Sequence, residues 1–489
     1  MFNRLKKWHR YNRRRYQLTS EGGYYEIWRV AYPLIIMNAS QTVMQVCNRK
    51  FLSYHSTMDV AAALPAGILA FLVFSFFVVT LGFTASIVSQ FFGRKDRASC
   101  VKAAWNGFYV SLLMSLVLML VMPFIGTLVI GHSGHDPMVA QRENQYYLAL
   151  VPCGIFACLG QPFFSYFSGQ GKTWYVAAIQ SAICLINIAL DYVLIFGKLG
   201  LPSLGIVGAG IATSISTGLA MVTIMTMFLL QDQQQRPTRS HCRYDLSTIK
   251  RLLRYGLPSG ARCFLDVGAF TAFTFIVGML SKEGLAVSTI ICTINMLSFM
   301  PLMGFADAAG ILLGQYIGKN NLALAEKTVW RTLWLGVVYV SVIAAIYLIM
   351  PHWLVTCFAP GKSNEINFAE VVSMGTILLM MMIIMNYADT CRLVFLGALC
   401  GAGDTKAVLL ISVVGRWFIM VPCVVVMVRF YHASVIEIWA FWIGSRIAEG
   451  AATYWRFRSG VWQRIKMLGH PPVPELPLIK DSAVETDIP

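Results

Sequence analysis

Apolar runs of about 20 residues or more recur along the whole chain, broken by short polar turns, and twelve of them can be drawn. As helices rising about 1.5 Å per residue, runs of that length cross a hydrocarbon core roughly 30 Å thick. They fall near 27–52, 60–92, 104–131, 144–168, 174–197 and 204–230, then 252–281, 285–314, 328–357, 369–398, 406–430 and 434–457. Between the sixth and seventh lies the least apolar interior stretch, 231–250, and what precedes it is restated after it. Arg29 and Pro33 return as Arg254 and Pro258, Gln90 and Gly93 as Gln315 and Gly318, Lys102 and Trp105 as Lys327 and Trp330, all at an offset of 225 residues. Gly169-Gln-Gly-Lys-Thr173 returns as Gly401-Ala-Gly-Asp-Thr405 at 232, which places a short insertion in a loop of the second half. Six spans is an even number, so both halves start on the same side. The pattern predicts an all-α integral membrane protein of twelve transmembrane helices in two pseudo-symmetric six-helix bundles, built as parallel repeats with a cleft between them.

Composition agrees with lipid as the solvent: 57% of the 489 residues are apolar, 13% are charged and the mean hydropathy is +0.63. The net charge of +16 raises nucleic acid as a partner, but its distribution argues otherwise. Of the 39 Lys and Arg, 27 fall in alternate segments beginning with the N-terminal one, and only Arg142, Lys198, Lys282, Lys362 and Arg429 fall in the opposite loops. That is the positive-inside pattern, with both termini cytoplasmic and the basic N-terminus serving as a topology anchor on anionic lipid. The expected organisation is a basic segment 1–26, an N-lobe 27–230, a linker 231–250, a C-lobe 251–458 and a disordered cytoplasmic tail 459–489. The twelve cysteines lie mostly within spans and form no Cys-x-x-Cys pair, so they read as small apolar fillers. The first apolar run carries Asn38, Gln41 and Gln45 and lacks a small-residue cleavage site, which makes it a retained span.

Gly169-Gln-Gly-Lys-Thr173 lacks the earlier glycine of a nucleotide-binding loop, since Tyr166 stands there, and reads as a short turn between spans. Any pumping is then driven by an ion gradient. Acids at membrane depth are the next candidates, because a charge there is costly unless paired or wet. Asp191, Asp266, Asp307 and Asp389 stand out. Each can bind Na+ or exchange a proton; each can equally sit in a fixed ion pair. Arg262 precedes Asp266 by four residues and Arg392 follows Asp389 by three, spacings that put each pair on one helix face. Asn187 and Asp191, also four apart, can offer oxygens to one cation. His132, His135 and Asp136 lack a clear fourth metal ligand, so no structural metal is expected and no nucleophile–base arrangement suggests an enzyme.

These residues resemble the multidrug and toxic compound extrusion (MATE) transporters over about 25–460. The likeness is carried by Gln41-Thr, Gly82-Phe-Thr-Ala-Ser86 leading to Gln90 and Gly93, the two Gly-x-Gly turns, Asn187 to Asp191 with Leu194-Ile-Phe-Gly197, and Gly205-Ile-Val-Gly-Ala-Gly210 with Ala212-Thr213. The resemblance implies alternating access and export of amphipathic compounds in exchange for H+ or Na+, without another cofactor. It assigns Asp266 and Asp389 to acidic positions of the seventh and tenth helices, and Asn187, Asp191 and Thr213 to an N-lobe cation pocket. The first-helix aspartate of the family is replaced by Asn48, followed by Arg49 and Lys50. An amide cannot titrate.

Arg49 and Lys50 either snorkel to the outer interface or face the cleft. In the second case they join Arg262, Arg392 and Arg416 in favouring anionic aromatic substrates such as flavin-like compounds. The leading expectation is a monomeric antiporter of a bacterial inner membrane, handling small molecules amid lipid, with Asp266 and Asp389 the foremost coupling acids and Asp191 third. The alternative is a lipid-linked precursor flippase with a cationic central cleft.

Overall fold

The computed structural model describes residues 21–132, 134–235, 242–358, 368–431 and 433–468. Within them the chain is helical, and twelve long helices can be numbered. The first six are α1 (Tyr24–His55), α2 (Thr57–Gly82 continued by Thr84–Gly93), α3 (Arg97–Gly131), α4 (Pro137–Ala149 continued by Val151–Gly169), α5 (Thr173–Phe196) and α6 (Gly205–Gln235). The second six are α7 (Leu246–Gly278), α8 (Lys282–Gly318), α9 (Leu322–Ile349), α10 (Phe368–Ala402), α11 (Thr405–Val413, a π-helical turn Val414–Met420, then Val421–Tyr431) and α12 (Val435–Arg458).

Ten are long and apolar enough to cross a membrane, which makes the chain a multi-pass membrane protein. The other two, α1 and α12, have the length but dilute their apolar runs with Asn38, Gln41, Gln45 and Asn48 in one and Arg446 and Glu449 in the other. Some of these polar groups are engaged inside the protein: Asn38 Nδ2 donates to Met300 O and Glu449 accepts from Arg416 Nε.

The third, seventh and ninth helices begin six or seven residues before their apolar runs because short polar side chains cap them. Asp96 accepts from Ser99 N at 3.0 Å, Asp245 from Ser247 N at 2.9 Å and Asn321 from Leu324 N at 3.1 Å, and Ser434 with Glu437 closes a capping box on α12. The linker expected at 231–250 is accordingly shorter: α6 runs on through Gln235 and α7 starts at Leu246. Of that connection, 236–241 lie outside the described residues, as do 1–20 of the basic segment and 469–489 of the tail. The ninth run is also split, because Pro351 cannot extend α9 and instead opens a short helix, Pro351–Phe358.

The two lobes, α1–α6 and α7–α12, meet through α1 against α8 and, related by the repeat, α7 against α2. One mixed core unites Ile27, Val30, Ala31 and Leu34 of α1 with Leu302, Phe305 and Leu312 of α8. Another carries Ile249 and Leu252 of α7 into the N-lobe. All of these sit toward the end that bears the Gly93 and Gly318 turns, called here the basic end. At the other end the cores draw on one lobe each: Phe273, Trp439 and Trp442 in the C-lobe, Leu52, Ile195 and Ile206 in the N-lobe. No core of buried residues joins the lobes at that end among the described residues.

Candidate functional site

The closed basic end is built from repeat mates. Gln90 Nε2 donates to Gly401 O at 3.0 Å, and its mate Gln315 Nε2 donates to Gly169 O, the mate of Gly401, at 2.9 Å. Gly93 and Gly318 pack so closely that a Cβ on Gly93 would overlap the Gln315 carbonyl oxygen and one on Gly318 the Gln90 carbonyl oxygen. Only glycine permits that approach. The Gly169–Thr173 stretch is a turn, with Gly171 at φ 74°, as is its mate with Gly403 at φ 92°. Farther along, Asn38 Nδ2 reaches Met300 O at 3.3 Å, and α7 lies on α2 where a Cβ on Gly260 would strike the Phe76 carbonyl. Beyond that level α1 continues along its own lobe, which it already touches where Thr173 Oγ donates to Val30 O at 3.0 Å.

There α1 runs parallel to α5. Ser40 Oγ lies 3.0 Å from Ser181 Oγ, Cys184 Sγ donates to Ser40 O at 3.0 Å, and Phe51 meets Tyr192 and Phe196 edge-on. This register sets Asn48 at the height of Asn187 and Asp191. Asp191 and Asn187 are fully buried. With its amide oriented to satisfy both neighbours, Asn187 donates to Asp191 Oδ2 at 2.9 Å and accepts from Thr213 N at 3.3 Å. Asp191 Oδ1 and Asn48 Oδ1 are buried without a hydrogen bond, and Asp191 has no ion pair among the described residues. A buried acid with no basic partner among the described residues, one of its oxygens unbonded and the unbonded Asn48 oxygen at its height, has the chemistry to take Na+ or a proton. Arg49 and Lys50 are exposed.

The C-lobe holds the opposite arrangement. Arg262 Nη1 binds Asp266 Oδ2 at 2.7 Å, and Arg416 Nη1 binds Asp266 Oδ1 at 2.8 Å. Arg416 Nε also binds Glu449 Oε1 at 3.0 Å. Arg392 Nε binds Asp389 Oδ1 at 2.8 Å and stands 3.9 Å from Glu449 Oε2, which Arg446 Nη1 approaches to 3.5 Å. Both pairs expected from helical spacing thus form. The π-helical turn of α11 swings Arg416 toward two acids on two other helices, and a Cβ on Gly415 within it would come 3.0 Å from Glu449 Cγ.

Arg392 and Arg416, expected on the cleft wall, are instead buried inside the C-lobe, drawn there by the carboxylates they neutralise. Arg262 and Asp266, 16% and 14% exposed, are the members that reach solvent. Four guanidinium groups face three carboxylates, an excess of one positive charge. Glu449 and Arg446 went unnoticed in the sequence, although two charges three apart in a span were their signal. Asp307 is exposed in mid-helix, with no ion pair among the described residues.

Elsewhere, His135 Nδ1 pairs with Glu143 Oε1 at 2.9 Å and Asp136 caps α4. Among the described residues, no three His, Cys, Asp or Glu come together to hold a metal.

Known proteins share this architecture. A probable multidrug resistance protein NorM from Bradyrhizobium diazoefficiens is 28% identical over 88% of this chain and 92% of its own. Among solved structures, an outward-facing multidrug resistance MATE family transporter of the MOP superfamily superposes with a TM-score of 0.79 at 17% identity, covering 89% of this chain and 96% of that one. A MOP superfamily transporter from Pyrococcus furiosus Vc1, whose binding pocket of reverse polarity suggests a different function, gives 0.79 at 17%, covering 90% and 96%. At such identity these two speak for the fold alone. The MatE family model matches residues 33–193 and 258–426, two segments whose starts repeat the internal offset of 225, and the chain belongs to that family.

Proposed function

We propose that the protein is a secondary active antiporter that exports amphipathic aromatic small molecules in exchange for H+ or Na+ by alternating access. Its termini and basic end face the cytoplasm of a bacterial cell, and it works as a monomer in the inner membrane. The observation that carries this reading is the pairing of two lobes, locked at one end and sharing no buried core at the other, with a buried acid in one lobe that has no basic partner among the described residues. Asp191, assisted by Asn187, Thr213 and Asn48, is the coupling group. Asp266 and Asp389, held by arginines, act through the C-lobe network. Cation binding at Asp191 and substrate binding in the gap favour different lobe arrangements, and exchange follows from that difference.

A second reading of the substrate is favoured by the surplus positive charge of the C-lobe. Arg262 brings that charge to the solvent-reaching edge of the network, which suits cargo combining rings with a negative group. The experiment is export from proteoliposomes of one cationic dye and one flavin, driven in turn by a pH gradient and a Na+ gradient, with Asp191→Asn as control. Uptake independent of both gradients would defeat the antiporter reading, and export of the dye alone would defeat the anionic one.

A further inference from the structure

The basic end carries a feature that lobe closure does not account for. Between the α2–α3 turn of the N-lobe and the start of α7 in the C-lobe lies a half-open cavity of about 640 Å³. Its walls include Arg94, Lys95 and Lys102 from one lobe and Arg251 from the other, against two acids, Asp96 and Asp245. Both acids are already engaged. Asp96 accepts from Ser99 N at 3.0 Å with one oxygen and from Ser99 Oγ at 2.6 Å with the other. Asp245 accepts from Ser247 N at 2.9 Å and from Thr248 Oγ at 2.7 Å. Neither forms an ion pair with Lys102 or Arg251 among the described residues. Burial, and then the facing Arg251, hold the Arg94 guanidinium below its ordinary value against the opposing pull of Asp96, so charges of the two lobes feel one another. In this closed arrangement the two walls are also joined directly. Asn106 of α3 accepts from Asp245 N at 2.8 Å, and Tyr109 OH donates to Cys242 O at 2.8 Å, which ties the chain entering α7 to the N-lobe. Topology signalling needs positive charge on this side but does not need it gathered around a cavity.

We propose that this cavity binds a phosphate-bearing anion that bridges the two lobes through Lys102 and Arg251. A phosphate offers oxygens to cations on both walls at once and relieves their mutual repulsion. Its source is either a soluble phosphate compound or the headgroup of an acidic lipid. On the antiporter reading, such a ligand holds the basic end shut, because its two walls separate when that end opens.

Binding can be read without transport. Full-length protein in neutral detergent is titrated with inorganic pyrophosphate at constant ionic strength, and separately reconstituted in nanodiscs of phosphatidylcholine with and without phosphatidylglycerol, following thermal unfolding in both. The expected result is a ligand-dependent rise in melting temperature in one or both arms. Apparent affinity falls about ten- to hundredfold in Lys102→Gln and in Arg251→Gln. A response to pyrophosphate identifies a soluble ligand, and a response to phosphatidylglycerol alone identifies a lipid. Lys198→Gln, which removes the same charge from an opposite loop, leaves affinity unchanged. No rise in either arm, or a rise equally weakened by Lys198→Gln, overturns the proposal. The ligand-free melting temperature of each variant separates lost binding from lost folding.

Discussion

Asp389 and Asp191 are both fully buried carboxylates, yet replacing each by asparagine should have opposite consequences. Asp389 lies 2.8 Å from Arg392 Nε, and neither side chain is more than 4% exposed. In Asp389→Asn the C-lobe network keeps four guanidinium groups against two carboxylates, and the nearest remaining acid to Arg392 is Glu449 at 3.9 Å. Breaking a buried pair by removing one partner costs about 3–5 kcal/mol, and the residual Glu449 contact favours the lower end. A loss of about 3 kcal/mol changes the folded-to-unfolded ratio more than a hundredfold. Asp191 has no guanidinium to abandon. An asparagine there still accepts from Asn187 and leaves no guanidinium unpaired, so stability should change by less than about 1 kcal/mol. The assay pairs thermal unfolding in detergent with gradient-driven dye export from proteoliposomes of matched protein content. Asp191→Asn should keep its melting temperature and lose export, whereas Asp389→Asn should lose stability first. If Asp389→Asn is as stable as the parent and silent in transport while Asp191→Asn transports normally, coupling resides in the C-lobe and the reasoning fails.

Gln90→Ala and Gln315→Ala each strip one buried carbonyl of its cross-lobe donor, at about 1–2 kcal/mol against the closed basic end. Hydrogen exchange over 86–94 and 311–319 should quicken by similar factors in the two variants, and a large asymmetry would contradict the paired lock. Gly93→Val forces α2 and α8 apart at their closest approach, so export should vanish while membrane insertion, followed by fractionation, persists. Asp245 supplies a pH test. Burial raises its carboxyl pKa, but hydrogen bonds from Thr248 and Ser247 outweigh that and leave it below the ordinary value. Its stabilising effect is therefore full above about pH 4 and fades as pH falls through the folded value. Asp245→Asn retains a cap but should flatten that part of the stability–pH curve. An unchanged acid limb would show that the cap does not titrate there.

Much of this was legible in the residues. The repeat offset gave the two lobes, and the i,i+4 and i,i+3 spacings of Arg262 with Asp266 and of Arg392 with Asp389 gave their ion pairs, because both signals are local to one helix. What escaped depends on which helices meet. Glu449 is a hub only because α11 widens into a π-helical turn and delivers Arg416 to it, and no spacing within α12 announces that. Gln90 and Gln315 were visible as mates, but a list of repeated residues does not say that each clasps the other lobe's turn. Some helix starts were misjudged because a capping Asp or Asn carried the helix past its greasy run, as at Asp96, Asp245 and Asn321.

The lock at the basic end has a further consequence. Each half offers one glutamine and one glycine-lined turn, and each receives the same from the other, which is the exchange two identical subunits make across a two-fold axis. A chain half this long would already own both sides of the joint. Severed within 236–241 and coexpressed, the halves carry the means to recognise one another without the covalent bridge.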